Sequence, residues 1–574
     1  MKSKIIIILA WVGLFTLSGC DDFLEQTNTT NPNADTFFDS DEAVRAATAP
    51  LYNVVWHNFN EKFYYSMGDG RSNNISAQWS NYIKDYTNFN ETSQTEGLED
   101  AWGSLYSVVA QSCNTINNIQ EKSQSSVSEA AKLEGIAEAR FMRGVAYWYI
   151  GSLWGDAILY ERTSDLASNF VVPASRQIDV IEFAIRDLEY AAKYLPRTST
   201  AAGRVNRYSA FGMLSRVYLS MAGLTESGAY QGAGTTIANP NRGSRNTYYL
   251  DLARKAAMKV INESSFSLME NYGDLYTYAN NNCKEAMFQL QWLAGSNSTL
   301  PWGTTNPIQA FFGWSTMVSD ATNWGNATYS SWDLVDTYDP KDVIRRHATI
   351  CVYGDEYPEL YKKGGGYIYG ITEEGYTEKC NIKKYVIGTH DDNGVSYQQS
   401  SGLNTHMLRL AEVYLNLVEA ILGNNPSTTD ATARTYFNMV RSRAGMKEKA
   451  VGEAITYEEI NYERRIELAM EGQYWYDLLR RGYYEQDKVV QYLNSQKRNA
   501  GYRYIEGTTP DGGVKMYEFR SEGTGIFPAT ARHLLLPISD TDKGKNKYLD
   551  TAKYPAEVYE FDPEDKISES DLYN

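Results

Sequence analysis

A chain of 574 residues is longer than one simple core organises, so two lobes or a solenoid are expected. The net charge of −17 disfavours a nucleic-acid partner, and a mean hydropathy of −0.48 leaves no membrane span beyond the extreme N-terminus. The aromatic fraction of 13%, with 45 Tyr and 12 Trp, suits packed helices and also recognition of polar ligands that carry flat apolar faces.

At the start, Lys2 and Lys4 precede an apolar run from Ile5 to Phe15 and then Leu17-Ser18-Gly19-Cys20. The run is too short for a stable span, and small residues before a cysteine give a lipoprotein signal peptide over residues 1–19. Cys20 is the expected lipidated residue, with the membrane held through its acyl chains only. Residues 20–35, polar from Asn28 to Asn33, read as a lipidated tether, and a helix through Ala43, Ala46, Ala47 and Leu51 follows. Met67 to Glu96 carries Asp69, Arg71, Trp79 and Tyr82 without sustained periodicity, which predicts a long loop of the kind that often carries function. Helices are then predicted from Trp102 (a core residue) to Ile116, Glu129 to Ser152, Ile178 to Leu195, Ala210 to Leu219 and Tyr249 to Ile261.

From about 266 to 402 helical periodicity fades, and Trp292, Trp302, Trp314, Trp324 and Trp332 stand among many Gly, Asn and Tyr. Glu285 to Gln291 alternates apolar and polar like a strand. Periodicity returns at Met407, Leu410, Ala411, Tyr414, Leu415 and Val418, then at Ala433, Phe437, Val440 and Ala444. A third helix opens on the capping box Thr456-Tyr457-Glu458-Glu459 and runs towards Gly482. About eight amphipathic helices result, and such helices bury their apolar faces only by stacking in pairs. The predicted fold is mainly α: a tetratricopeptide-like solenoid over residues 36–265 and 403–482, a loop-rich, partly β insertion over 266–402, and a loop-rich region over 483–574.

The wording R-L-A-E-V-Y-L-N-x-x-E-A from Arg409, V-R-x-R-A-G from Val440 and E-R-R-x-E-L-x-x-E-G-x-x-W-Y-D-L-x-R-x-G from Glu463 resembles the SusD/RagB family of outer-membrane nutrient-binding lipoproteins. The likeness covers nearly the whole mature chain, with Ser539 departing from the family's P-I-P near the end. It implies a surface-exposed lipoprotein, consistent with Asp21 and Asp22 after Cys20, that captures oligosaccharides and hands them to a SusC-like TonB-dependent transporter. It implies no cofactor. One relative class takes peptides, so an oligopeptide ligand is an alternative, and a surface glycoside hydrolase or a purely structural scaffold are others.

No G-x-S-x-G, H-E-x-x-H, phosphate loop or calcium loop occurs in the sequence, so no enzyme activity and no metal site are expected. Glu463, Glu467 and Glu471 line one predicted helix face, whereas a glycosidase sets two carboxyls across a sugar. The simpler reading is ion pairing with Arg441, Arg443, Arg464 or Arg480. Cys113, Cys283, Cys351 and Cys380 lack metal-site spacing, and free thiols or any of three disulfide connectivities remain open. Sugar rings stack on aromatic planes while their hydroxyls need directional partners. Only the early loop and the insertion offer that mixture outside helical periodicity. Trp79, Trp314 and Trp324 are therefore the expected stacking platforms, with Tyr82 beside them and Asp69 and Arg71 as hydroxyl partners.

Overall fold

The computed structural model describes residues 37–77, 80–167, 169–235, 237, 239–295, 299–313, 315–318, 327–370, 379–397, 400–505, 517–521 and 526–574. Cys20 and the tether therefore lie outside the described residues.

After a short helix α1 (Asp41–Thr48), eight principal helices follow: α2 (Leu98–Lys122), α3 (Glu129–Leu153), α4 (Gln177–Tyr194), α5 (Arg207–Leu224), α6 (Thr247–Glu263), α7 (Leu410–Leu422), α8 (Ala431–Arg443) and α9 (Tyr457–Glu467). Side-chain caps fix several starts. Ser128 accepts the Ala131 amide, Asn206 and Ser209 close a capping box, and Thr456 with Glu459 closes the one expected from sequence. Consecutive helices pack against one another from α2 to α8, and α7 also touches α5 and α9, so the paired solenoid is present. Helix α3 is its axis. Every residue from Gly135 to Leu153 is buried, and such a helix must satisfy its charges internally. Arg143 does so through two 2.8 Å bonds to Asp187 on α4.

The insertion leaves the solenoid between α6 and α7, which still pack as a pair. Its two ends are clasped by antiparallel pairing of β2 (Ala286–Leu290), the strand read from sequence, with β4 (Thr405–Arg409). Within it β3 (Thr328–Ser330) pairs with β1 (Ile75–Ala77) of the early segment. The region after Gly482 is more ordered than expected, with α11 (Gln486–Ser495) following α10 (Tyr474–Gly482) and a hairpin joining Gly501–Tyr504 to Tyr517–Ser521. All four described cysteines are free.

Two sequence readings need correction. The third C-terminal helix does not run to Gly482, because it stops at Glu467 and restarts at Tyr474, with Met470 and Gly472 in left-handed conformations between. The segment after Met67 is not a surface loop. It is buried from Phe63 to Ala77, takes two wide turns closed by amide bonds five residues long (Arg71 to Ser66, Asn74 to Asp69), and lies under the helix break.

Candidate functional site

The break between α9 and α10 explains Asp69. Its carboxylate accepts the Met470 amide at 3.0 Å, the Gly472 amide at 2.6 Å and Asn74 Nδ2 at 2.8 Å, thereby capping backbone donors that the interrupted helix leaves open. Gly68 meets Gly472 backbone to backbone, and a Cβ on Gly68 would fall inside the Gly472 peptide. Burial pushes the Asp69 carboxyl up to about 6 in spite of its three donors. Arg71 is equally buried, pairs with Glu91 at 3.2 Å, donates to the His533 carbonyl and sets its guanidinium 4.6 Å from the Trp475 ring centre. Neither side chain reaches solvent, so neither is a hydroxyl partner for a ligand. They fasten the early segment to the C-terminal helices.

The three aligned glutamates are also structural. Glu463 pairs with Arg345 and Arg441, Glu467 with Arg345, Arg409 and Arg443, and Glu471 with Arg409 and Lys384. Ion pairing is what the sequence suggested, and Arg441 and Arg443 are among the partners. Arg464 and Arg480 instead hold Asp477, with Arg480 also on Glu419. The surrounding guanidinium groups outweigh desolvation and hold Glu467 down at about 2. Carboxylates this buried and this committed have no access to a sugar.

Trp79, Trp314 and Trp324 lie outside the described residues. The described residues that flank them do meet. Ala77, at the end of β1, stands opposite Thr328 of β3, and Thr328 Oγ1 donates to the Phe311 carbonyl at 2.7 Å, just ahead of residue 314. Tyr82, on the helix Asn81–Thr87, is half-buried, with the Lys62 ammonium 4.5 Å from its ring centre and Phe63 at its side.

An aromatic that sequence reasoning passed over is better placed. Seven of the eight described tryptophans are buried, whereas Trp302 is 65% exposed. It rides a tight turn, Pro301-Trp302-Gly303-Thr304, closed by the Thr304 amide on the Pro301 carbonyl, with Gly303 at φ +86° where only glycine sits without strain. His57 packs edge-on to the indole with centroids 5.1 Å apart, and Gly303 rests against His57 and Val54. The Leu293 amide bonds to the Thr304 carbonyl at 2.8 Å. Val54 (46% exposed) and Leu293 (48% exposed) thus extend the indole into an apolar platform. Desolvation holds the His57 imidazole below its ordinary range, so the backing of the platform is uncharged at neutral pH. A flat, neutral, exposed aromatic of this kind can take the C–H face of a pyranose. The Pro-Trp-Gly turn is the sequence signal that marks it.

Two family models match the chain, one described as the SusD family over residues 264–554 and one as starch-binding associating with outer membrane over residues 22–219. A SusD-like protein of Bacteroides ovatus is 38% identical over 97% of this chain and 98% of its own length. The chain belongs to the SusD family. Within that family, the starch-binding protein SusD of Bacteroides thetaiotaomicron is 26% identical over 63% of this chain and 67% of its own length. A crystal structure with xylogluco-oligosaccharide superposes on this SusD-family chain with a TM-score of 0.77 at 35% identity, covering 91% of this chain and 100% of that one. Among the described residues no helix is long and apolar enough to cross a membrane.

Proposed function

We propose that this protein is a non-catalytic, lipid-anchored outer-membrane lipoprotein that captures oligosaccharides at the cell surface and passes them to a SusC-like TonB-dependent transporter. The exposed Trp302 platform carries the glycan-binding part of the reading, because a soluble protein that buries its other described tryptophans gains nothing in stability from this one. The similarity at 35% identity to a structure with xylogluco-oligosaccharide supports it. Trp79, Trp314 and Trp324 complete the aromatic surface in this proposal, since the described residues around them gather at the β1–β3 pair. Anchoring through Cys20 and delivery to the transporter rest on the signal peptide and on membership of the family.

Affinity electrophoresis of the purified chain against starch, xyloglucan, laminarin, galactomannan and arabinoxylan tests the reading. Retardation by at least one polysaccharide is expected, together with its clear reduction in Trp302→Ala. Unretarded migration on every gel, or retardation that survives Trp302→Ala and the triple change at Trp79, Trp314 and Trp324, would remove it.

A further inference from the structure

A cleft of about 530 Å³ opens in the insertion between the turn at residues 273–279, the helix Val343–Thr349 and the segment around 383–395. Tyr278 stands on its rim and is 40% exposed. A Cβ on Gly402 would meet both the Tyr278 ring and Ala294, so Tyr278 packs beside the residue that follows Leu293 and continues the Trp302 platform. Another wall carries a second aromatic face. The His347 imidazole stacks on Tyr357 with centroids 4.6 Å apart and planes 29° from parallel, and Tyr357 is itself buried and anchored through its hydroxyl to the His347 carbonyl at 3.2 Å.

The polar groups narrow the class of ligand. Both lysines of the cleft are already engaged, Lys383 with Glu359 at 3.2 Å and the Val386 carbonyl at 3.0 Å, and Lys362 with the Asp392 carbonyl. An acidic ligand would have to displace these partners. The cleft instead offers a carboxylate on Asp274, of which one oxygen accepts Asn271 Nδ2, and a second on Glu359 at the mouth. Carboxylates beside aromatic faces, with balanced charge, match hydroxyl donors on a ring that has apolar faces. We propose that this cleft is a second saccharide subsite, holding a neutral sugar unit of the same glycan whose other part stacks on Trp302. The proposal rests on the glycan-binding reading and lengthens its footprint.

The test uses the whole mature chain and the polysaccharide gels named above, with Tyr278→Ala, His347→Ala and the double variant beside Trp302→Ala. Both positions are at the surface, and thermal melts matching the parent confirm folding. The double variant should bind the retarding polysaccharide about tenfold more weakly, which is the scale of one lost stacking contact, and crystals soaked in its oligosaccharides should show a sugar ring beside Tyr278. A parent chain retarded by no polysaccharide overturns the glycan reading and this subsite with it. A parent that is retarded, with a double variant of equal affinity and a cleft without sugar, overturns the subsite alone.

Discussion

Replacing Arg409 by methionine tests what holds the solenoid to its insertion. Arg409 is buried at the end of β4 and bonds Glu285 at 2.9 Å, Glu467 at 2.5 Å and Glu471 at 2.8 Å. Around it five carboxylates (Glu285, Asp342, Glu463, Glu467, Glu471) face five cations (Arg345, Arg409, Arg441, Arg443, Lys384), so the cluster is neutral as a whole. Methionine fills most of the stem volume but leaves one uncompensated buried charge, which costs about 3–5 kcal/mol. With a urea slope of about 3 kcal/mol per molar or more for a domain of this size, the unfolding midpoint should fall by about 1 M at pH 7. The pH dependence has a definite sign. Glu467 is held at about 2 against an ordinary 4.5, so its contribution is fully present above pH 4.5 and is lost as pH falls towards 2. The gap between parent and Arg409→Met should therefore narrow over that window. Tryptophan fluorescence during urea titration at pH 7 and pH 3 reads both effects. A midpoint equal to or above the parent's at pH 7 would refute the reasoning, because it would mean that desolvating the cluster costs as much as its pairing returns.

Asp69→Asn puts an amide donor among three donors, so it should destabilise the chain by about 1–3 kcal/mol while leaving glycan affinity per folded molecule unchanged. Melting curves beside affinity gels check this, and lost binding with an unaltered melt would restore Asp69 as a ligand contact. Cys20→Ala should move the protein from the membrane fraction to the soluble one on ultracentrifugation, and mutant protein retained by membranes that lack the transporter would show another anchor.

The solenoid was legible because each of its helices is amphipathic over several turns, which a periodic pattern reports directly. The ion cluster was legible in half, since carboxylates and Arg441 and Arg443 share a stretch of chain whereas Arg345, Arg409 and Lys384 arrive from the insertion and its edge. Asp69 and Arg71 were misplaced for the same reason. Their partners, Met470, Gly472 and His533, lie far along the chain, and a polar stretch satisfied at long range looks like a solvated loop. The halt at Glu467 was hidden because Met470 holds its left-handed conformation only with Asp69 in place. Trp302 carried a local signal, a Pro-Trp-Gly turn, within a stretch already marked as a candidate.

The clasp between Gly68-Asp69 and Met470-Gly472 also has a kinetic meaning. The Gly472 amide and the Asp69 carboxylate are 403 residues apart, and each doubling of such a loop adds only about 0.6 kcal/mol of closure entropy. Distance is therefore cheap at equilibrium and expensive in time, because the contact cannot form until the chain is four-fifths made. Helices α2 to α6 can assemble early from local contacts, but the segment beneath them waits, with a carboxylate and a guanidinium unpartnered, for the last part of the chain to arrive. A chain cut short before Met470 would lack more than its final helices, since its own first hundred residues would have nothing to close on.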